Sequence, residues 1–107
     1  MAPNNSEFHI ARQLRMIEWL KAELVATVGI LYKALVKNSE EAIVDALANL
    51  VIGSYLLGKR LGVSFSKLDG TIAAHLASPA FQEHEIEQWH GDVTNLQNHW
   101  EERGRQS

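Results

Sequence analysis

Asp45 and Asn49 stand four residues apart in a stretch from Ala42 to Gly58 that is otherwise almost wholly apolar or small. On a helix this spacing stacks a carboxylate and an amide on one face, and Glu41 extends the column by a turn. Burying such groups is costly unless something compensates them, so the pair is expected to meet a partner helix, a water-lined cleft or a cation. Oxygen donors of this kind suit hard divalent ions such as Mg²⁺. The other reading of the column is a polar stripe at a helix or subunit interface, where a buried Asn fixes register.

Two long helices must position these groups. Ser6 is placed to cap the first, with Glu7 in its opening turn, and Ile10, Leu14, Ile17, Leu24, Val28, Leu31 and Leu35 follow at helical spacings. Lys21 alone breaks that seam. About 30 residues at ~1.5 Å each give roughly 45 Å, long enough that a kink or break near Lys21 or Gly29 is a candidate. Lys37-Asn38-Ser39 ends the helix, and Ser39 then caps a second one that carries Glu40 and Glu41 in its first turn and stops at Gly62. So short a turn predicts an antiparallel αα-hairpin. Counting outward from Asn38 sets Leu31 level with Asp45, Thr27 with Asn49 and Glu23 with Gly53. Glu23, Glu41, Asp45 and Asn49 are therefore the oxygen-bearing set that two facing helices could aim at one point.

Beyond the hairpin, Ser66-x-x-Asp69 has the spacing of a capping box for a short helix through Leu68, Ile72 and Leu76 that closes before Pro79. A last helix puts Ile86, Trp89, Val93, Leu96 and Trp100 on one face, with Gly91-Asp92 as its candidate interruption, and the tail from Arg103 is expected to fray. Glu87-x-x-His90, with His84 a turn earlier, has metal-ligand spacing, but one such motif without a partner reads as solvated side chains. Trp19, Trp89 and Trp100 read as packing residues. Lys59 and Arg60 read as stabilisers of a helix C-terminus, because ~16 Å of helix separates Arg60 from Asn49 and no shared ligand is expected.

Composition sets the class. A chain of 107 residues, 46% apolar, with proline only at Pro3 and Pro79, predicts one all-α domain, a helical bundle built on the hairpin. The absence of cysteine removes disulfides, thiolate zinc sites and cysteine nucleophiles. A net charge of −3 with scattered basic residues argues against a duplex nucleic-acid binder, while single nucleotides stay open. Residues Met1 to Phe8 do not read as a signal peptide, and the apolar run from Val44 to Leu57 reads as too short and interrupted to span a bilayer. The expectation is a soluble cytoplasmic protein. Helix two is apolar on opposite sides, Ile43, Leu47 and Leu50 against Val44, Val51 and Tyr55, which predicts a homo-oligomer, most simply a dimer.

At the hairpin the chain resembles the MazG-like family of all-α nucleoside triphosphate pyrophosphohydrolases. The resemblance covers roughly residues 10 to 76 and rests on "AELVATVGILYKAL", a short polar turn, and "DALANLVIGSYLLGKRLGVSFSKLD". It implies a site in which acids from an E-E-x-x-E and an E-x-x-D motif hold Mg²⁺ against a triphosphate. Glu23 matches one glutamate of the first motif. Ala22 and Ala26 fall where its other acids belong, and Ala46 and Asn49 fall on the glutamate and aspartate of the second, with Asp45 beside them but pointing about 100° away. An Asn ligand offers a dipole where a charge is needed. Two functions follow as expectations: a nucleotide-handling protein with weak or absent pyrophosphohydrolase activity, or a non-catalytic oligomeric helical protein that acts through partner binding.

Overall fold

The computed structural model describes residues 5–106, and every regular element among them is helical. Helix α1 runs from Asn5 to Lys37 and α2 from Glu40 to Arg60, followed by α3 (Phe65–Leu76), α4 (Pro79–Gln82), α5 (Glu85–His90) and α6 (Asp92–Gln106). The 107 residues hold two compact units, the first ending at Phe65 and the second beginning at Ser66.

In the first unit α1 continues through both candidate break points. Lys21 is exposed and pairs with Glu18 one turn back at 2.7 Å, so its charge interrupts the apolar seam without entering the interior. Gly29 has open space around it, and nothing inserts there to disturb the backbone ladder. Because the helix already includes Asn5, Ser6 lies within its first turn rather than at its cap.

Asn38 takes the left-handed conformation, φ 53°, that reverses the chain, and Ser39 N–H closes the turn on the Ala34 carbonyl at 3.2 Å. Ser39 then caps α2, its Oγ accepting the Ala42 N–H at 3.3 Å. At the other end Gly62 has φ 90°, and Val63 N–H returns to the Gly58 carbonyl at 2.8 Å. Here the positive φ demands glycine, and the bond pattern is that of a Schellman stop. The helices are antiparallel. Gln13 near the start of α1 donates to the carbonyl of Arg60 at the end of α2, 2.8 Å away, while Leu24 packs on Gly53 midway.

Among the described residues, the buried side chains of the hairpin are Leu20, Ala34 and Ala46. Full burial of a leucine contributes about 1.5–3 kcal/mol, whereas ordering each backbone residue costs ~1–2 kcal/mol. So thin a seam covers little of the apolar surface that two long helices display. Helix α2, at 21 residues, is also long and apolar enough to cross a membrane by length and composition, a property shared with core helices of soluble proteins. The run read from the sequence as too short and interrupted, Val44 to Leu57, is only the central part of this helix.

In the second unit Leu76 and Val93 are buried. Helix α3 starts at Phe65, which places Ser66 inside its first turn; Asp69 pairs with Arg103 at 3.7 Å, and the Arg103 guanidinium lies 4.1 Å over the Trp100 ring. Pro79 opens the short α4, an element the sequence reading did not resolve, by presetting the first helical φ. Gly91, at φ 67°, separates α5 from α6 at the interruption expected there.

Candidate metal and nucleotide site

The register places polar groups from both helices in one cleft. Glu23 and Thr27 from α1 and Asn49 and Gly53 from α2 line a cavity of about 240 Å³, as the level-by-level count from the turn anticipated. Gly53 makes the close approach possible, since a Cβ there would stand 2.8 Å from Leu24 Cδ2. The Thr27 hydroxyl donates to the Glu23 carbonyl at 2.7 Å, which commits its proton to its own helix.

The other two candidate ligands lie elsewhere. Glu41 and Asp45 are exposed and outside the cleft lining. Asp45 directly precedes Ala46, whose side chain is 2% exposed in the interior, and one residue along a helix is a rotation of ~100°. Asn49 is exposed as well, and no polar or charged side chain is buried among the described residues. The burial cost expected for the Asp45–Asn49 column therefore does not arise, because α2 turns its Ala46 edge, not that column, toward α1. Nor do three or more His, Asp or Glu side chains converge to hold a metal among the described residues.

Trp19 was missed as a site residue. It is 61% exposed, and together with Leu20 and Leu56 it lines both the Glu23–Asn49 cleft and a second cavity of about 460 Å³ that includes Met16, Lys59, Arg60 and Phe65. Those shared walls make the two cavities neighbours, with a carboxylate lining the first and two cations lining the second. Axial distance along α2 concealed this, whereas the i, i+4 spacing of Trp19 and Glu23 on α1 signalled it. Both cations are already engaged. Arg60 donates to Gln13 Oε1 at 3.4 Å, and Lys59 Nζ sits 5.5 Å from the centre of the Phe65 ring.

The Glu87/His90/His84 spacing serves local structure. Glu87 Oε2 accepts the Thr94 N–H at 2.9 Å and Oε1 accepts the Thr94 hydroxyl, so the carboxylate caps the start of α6. The Thr94 hydroxyl first, then its N–H, holds the Glu87 carboxyl below the usual glutamate pKa range. His84 caps α5, with Nδ1 accepting the Ile86 N–H at 3.1 Å. Trp89, read as a packing residue, is 78% exposed.

The same hairpin and the helices that follow it carry a family signature: the model of the MazG-like family matches residues 10–93. The chain belongs to the MazG-like family. No curated protein and no solved structure matches it. Membership relates this MazG-like chain to nucleoside triphosphate pyrophosphohydrolases, which often use Mg²⁺, and the match extends beyond residue 76, where the resemblance in the sequence faded. Of the positions where that resemblance calls for acids, Ala22 and Ala26 are exposed and Ala46 is interior.

Proposed function

We propose that this MazG-like protein binds a nucleoside triphosphate along the hairpin groove and hydrolyses it weakly or not at all, because its metal site is degenerate. The observation carrying this reading is the cleft lining, in which Glu23 is the one carboxylate and Asn49 supplies an amide. Glu23, Glu41, Asp45 and Asn49 are the oxygen donors offered to Mg²⁺, and only two of them share the cavity. A resident divalent ion needs several charged oxygens at octahedral positions, so this donor set does not fit one held by protein alone. The groove's other features support binding: an exposed indole at Trp19 gives a base a face to stack on, and Lys59 and Arg60 put positive charge at the far end.

Isothermal titration with nucleoside triphosphates, with and without Mg²⁺, alongside pyrophosphate release, tests this. Binding weakened by Trp19→Ala with little turnover is the expected result. Efficient turnover abolished by Glu23→Ala would establish a working enzyme instead, and absence of binding to every nucleotide would favour the second reading, a non-catalytic protein acting through partners, which the exposed apolar surface of the hairpin supports.

A further inference from the structure

Two matched sets of side chains build the cavity at the end of the hairpin away from the Asn38 turn. Met16, Trp19 and Leu20 stand at i, i+3 and i+4 on α1, and Leu56, Lys59 and Arg60 repeat that spacing on α2, so each set occupies one face of its helix and both line the same cavity of about 460 Å³. The stop at Gly62 turns the chain back, and Phe65 completes the wall, set edge-to-face against Tyr55 with ring centres 5.9 Å apart. The volume lies in the ~300–1,000 Å³ range of small-molecule sites. The charge in this lining has one sign. Lys59 and Arg60 face the cavity with no carboxylate among its walls, and the remaining side chains are apolar or aromatic, Trp19 being 61% and Phe65 47% exposed. The negative end of the α2 dipole, which would oppose an anion here, is blunted: Gln13 donates to the Arg60 carbonyl at 2.8 Å and Val63 N–H to the Gly58 carbonyl at 2.8 Å.

We infer that this cavity binds an aromatic carboxylate, a flat apolar ring carrying one negative charge, with the ring against Trp19 and Phe65 and the carboxylate on Lys59 and Arg60. The Lys59 ammonium lies 5.5 Å from the centre of the Phe65 ring, so a ring stacked on this wall brings its own substituent to that cation. A guanidinium carries five N–H donors in a planar fork that suits a carboxylate, and Gln13 accepts from that of Arg60 at a long 3.4 Å. A polar base or sugar inside this cavity would set its hydrogen-bonding edges against Met16, Leu20 and Leu56, at a desolvation cost that an apolar ring does not incur. Such groups find partners in the neighbouring Glu23–Asn49 cleft instead. Lys59 and Arg60 answer to either ligand, so an aromatic carboxylate and a nucleotide exclude one another.

Calorimetric titration of the whole chain with 2-naphthoate, with neither nucleotide nor metal present, tests this, so that the nucleotide reading and this one can fail separately. Saturable one-to-one binding is expected, with the neutral 2-naphthylmethanol and the ring-free octanoate each about tenfold weaker, the effect of losing one charge-assisted hydrogen bond or one stacked ring. Lys59→Gln with Arg60→Gln should erase the preference for naphthoate over its neutral counterpart at unchanged helicity by circular dichroism. Lys33→Gln with Lys37→Gln, which removes the same charge near the Asn38 turn, should leave that preference intact. Trp19→Ala, at an exposed position, should weaken naphthoate about tenfold. Equal affinity for naphthoate and the neutral alcohol, a preference that survives loss of both cations, or no binding of naphthoate by the folded wild type would each overturn the inference.

Discussion

Leu24 of α1 and Gly53 of α2 are packed so closely that a Cβ on residue 53 would fall 2.8 Å from Leu24 Cδ2 and 3.4 Å from its Cγ. This contact sets the separation of the two helices at the level where Glu23, Thr27 and Asn49 meet. Alanine at position 53 gains about 1 kcal/mol of helix propensity but must displace the leucine, at an overpacking cost of about 1–3 kcal/mol. Gly53→Ala is therefore expected to be neutral to about 2 kcal/mol destabilising, and Gly53→Leu worse. Urea unfolding midpoints would decide it; a stabilised Gly53→Leu would mean the helices are not held at this distance.

Gln13 ties the far end of the hairpin. Gln13 donates to the Arg60 carbonyl at 2.8 Å and accepts from its guanidinium at 3.4 Å. Gln13→Ala should cost about 1 kcal/mol, the usual worth of a part-buried hydrogen bond, and loosen the end of α2. Amide hydrogen exchange should show faster exchange at residues 57–61 than at the turn near Asn38.

Acid should weaken the second unit through Glu87. Its pKa is lowered in the folded chain by the Thr94 hydroxyl and N–H, so its contribution is present above the unfolded glutamate value of about 4.3 and is lost as pH falls through the lower folded value. Glu87→Gln should be less stable than wild type at pH 7, and the gap should close on acidification. Thermal melts of the two proteins between pH 7 and pH 3 measure it, and a gap that widens in acid would contradict the capping role.

Restoring charge at the cleft should recover Mg²⁺ affinity. Asn49→Asp alters an exposed position in the cleft lining and should tighten Mg²⁺ binding by calorimetry with little loss of stability. Ala46→Glu, another change suggested by the family pattern, should unfold the hairpin or cost several kcal/mol, because position 46 is 2% exposed and a carboxylate there has no partner. Equal tolerance of both acids would show that α2 is rotated from the orientation described.

Periodicity and capping chemistry were enough to read the two long helices, the Ser39 cap, the Gly62 stop, the antiparallel register and the break at Gly91, since each depends on residues near in sequence and on local backbone preference. The level of Glu23, Thr27, Asn49 and Gly53 followed from the short turn, which leaves the count no freedom. What required tertiary structure was the rotation of α2 about its own axis. Sequence alone showed an apolar helix with a polar column and suggested that the column was buried, yet packing turned Ala46 and Gly53 inward, because small residues let the helices approach. That rotation left Asp45 and Glu41 in solvent, put Asn49 at the cleft's rim, and brought Trp19 into one groove with Lys59 and Arg60, a proximity across the hairpin that no distance along a single helix reveals.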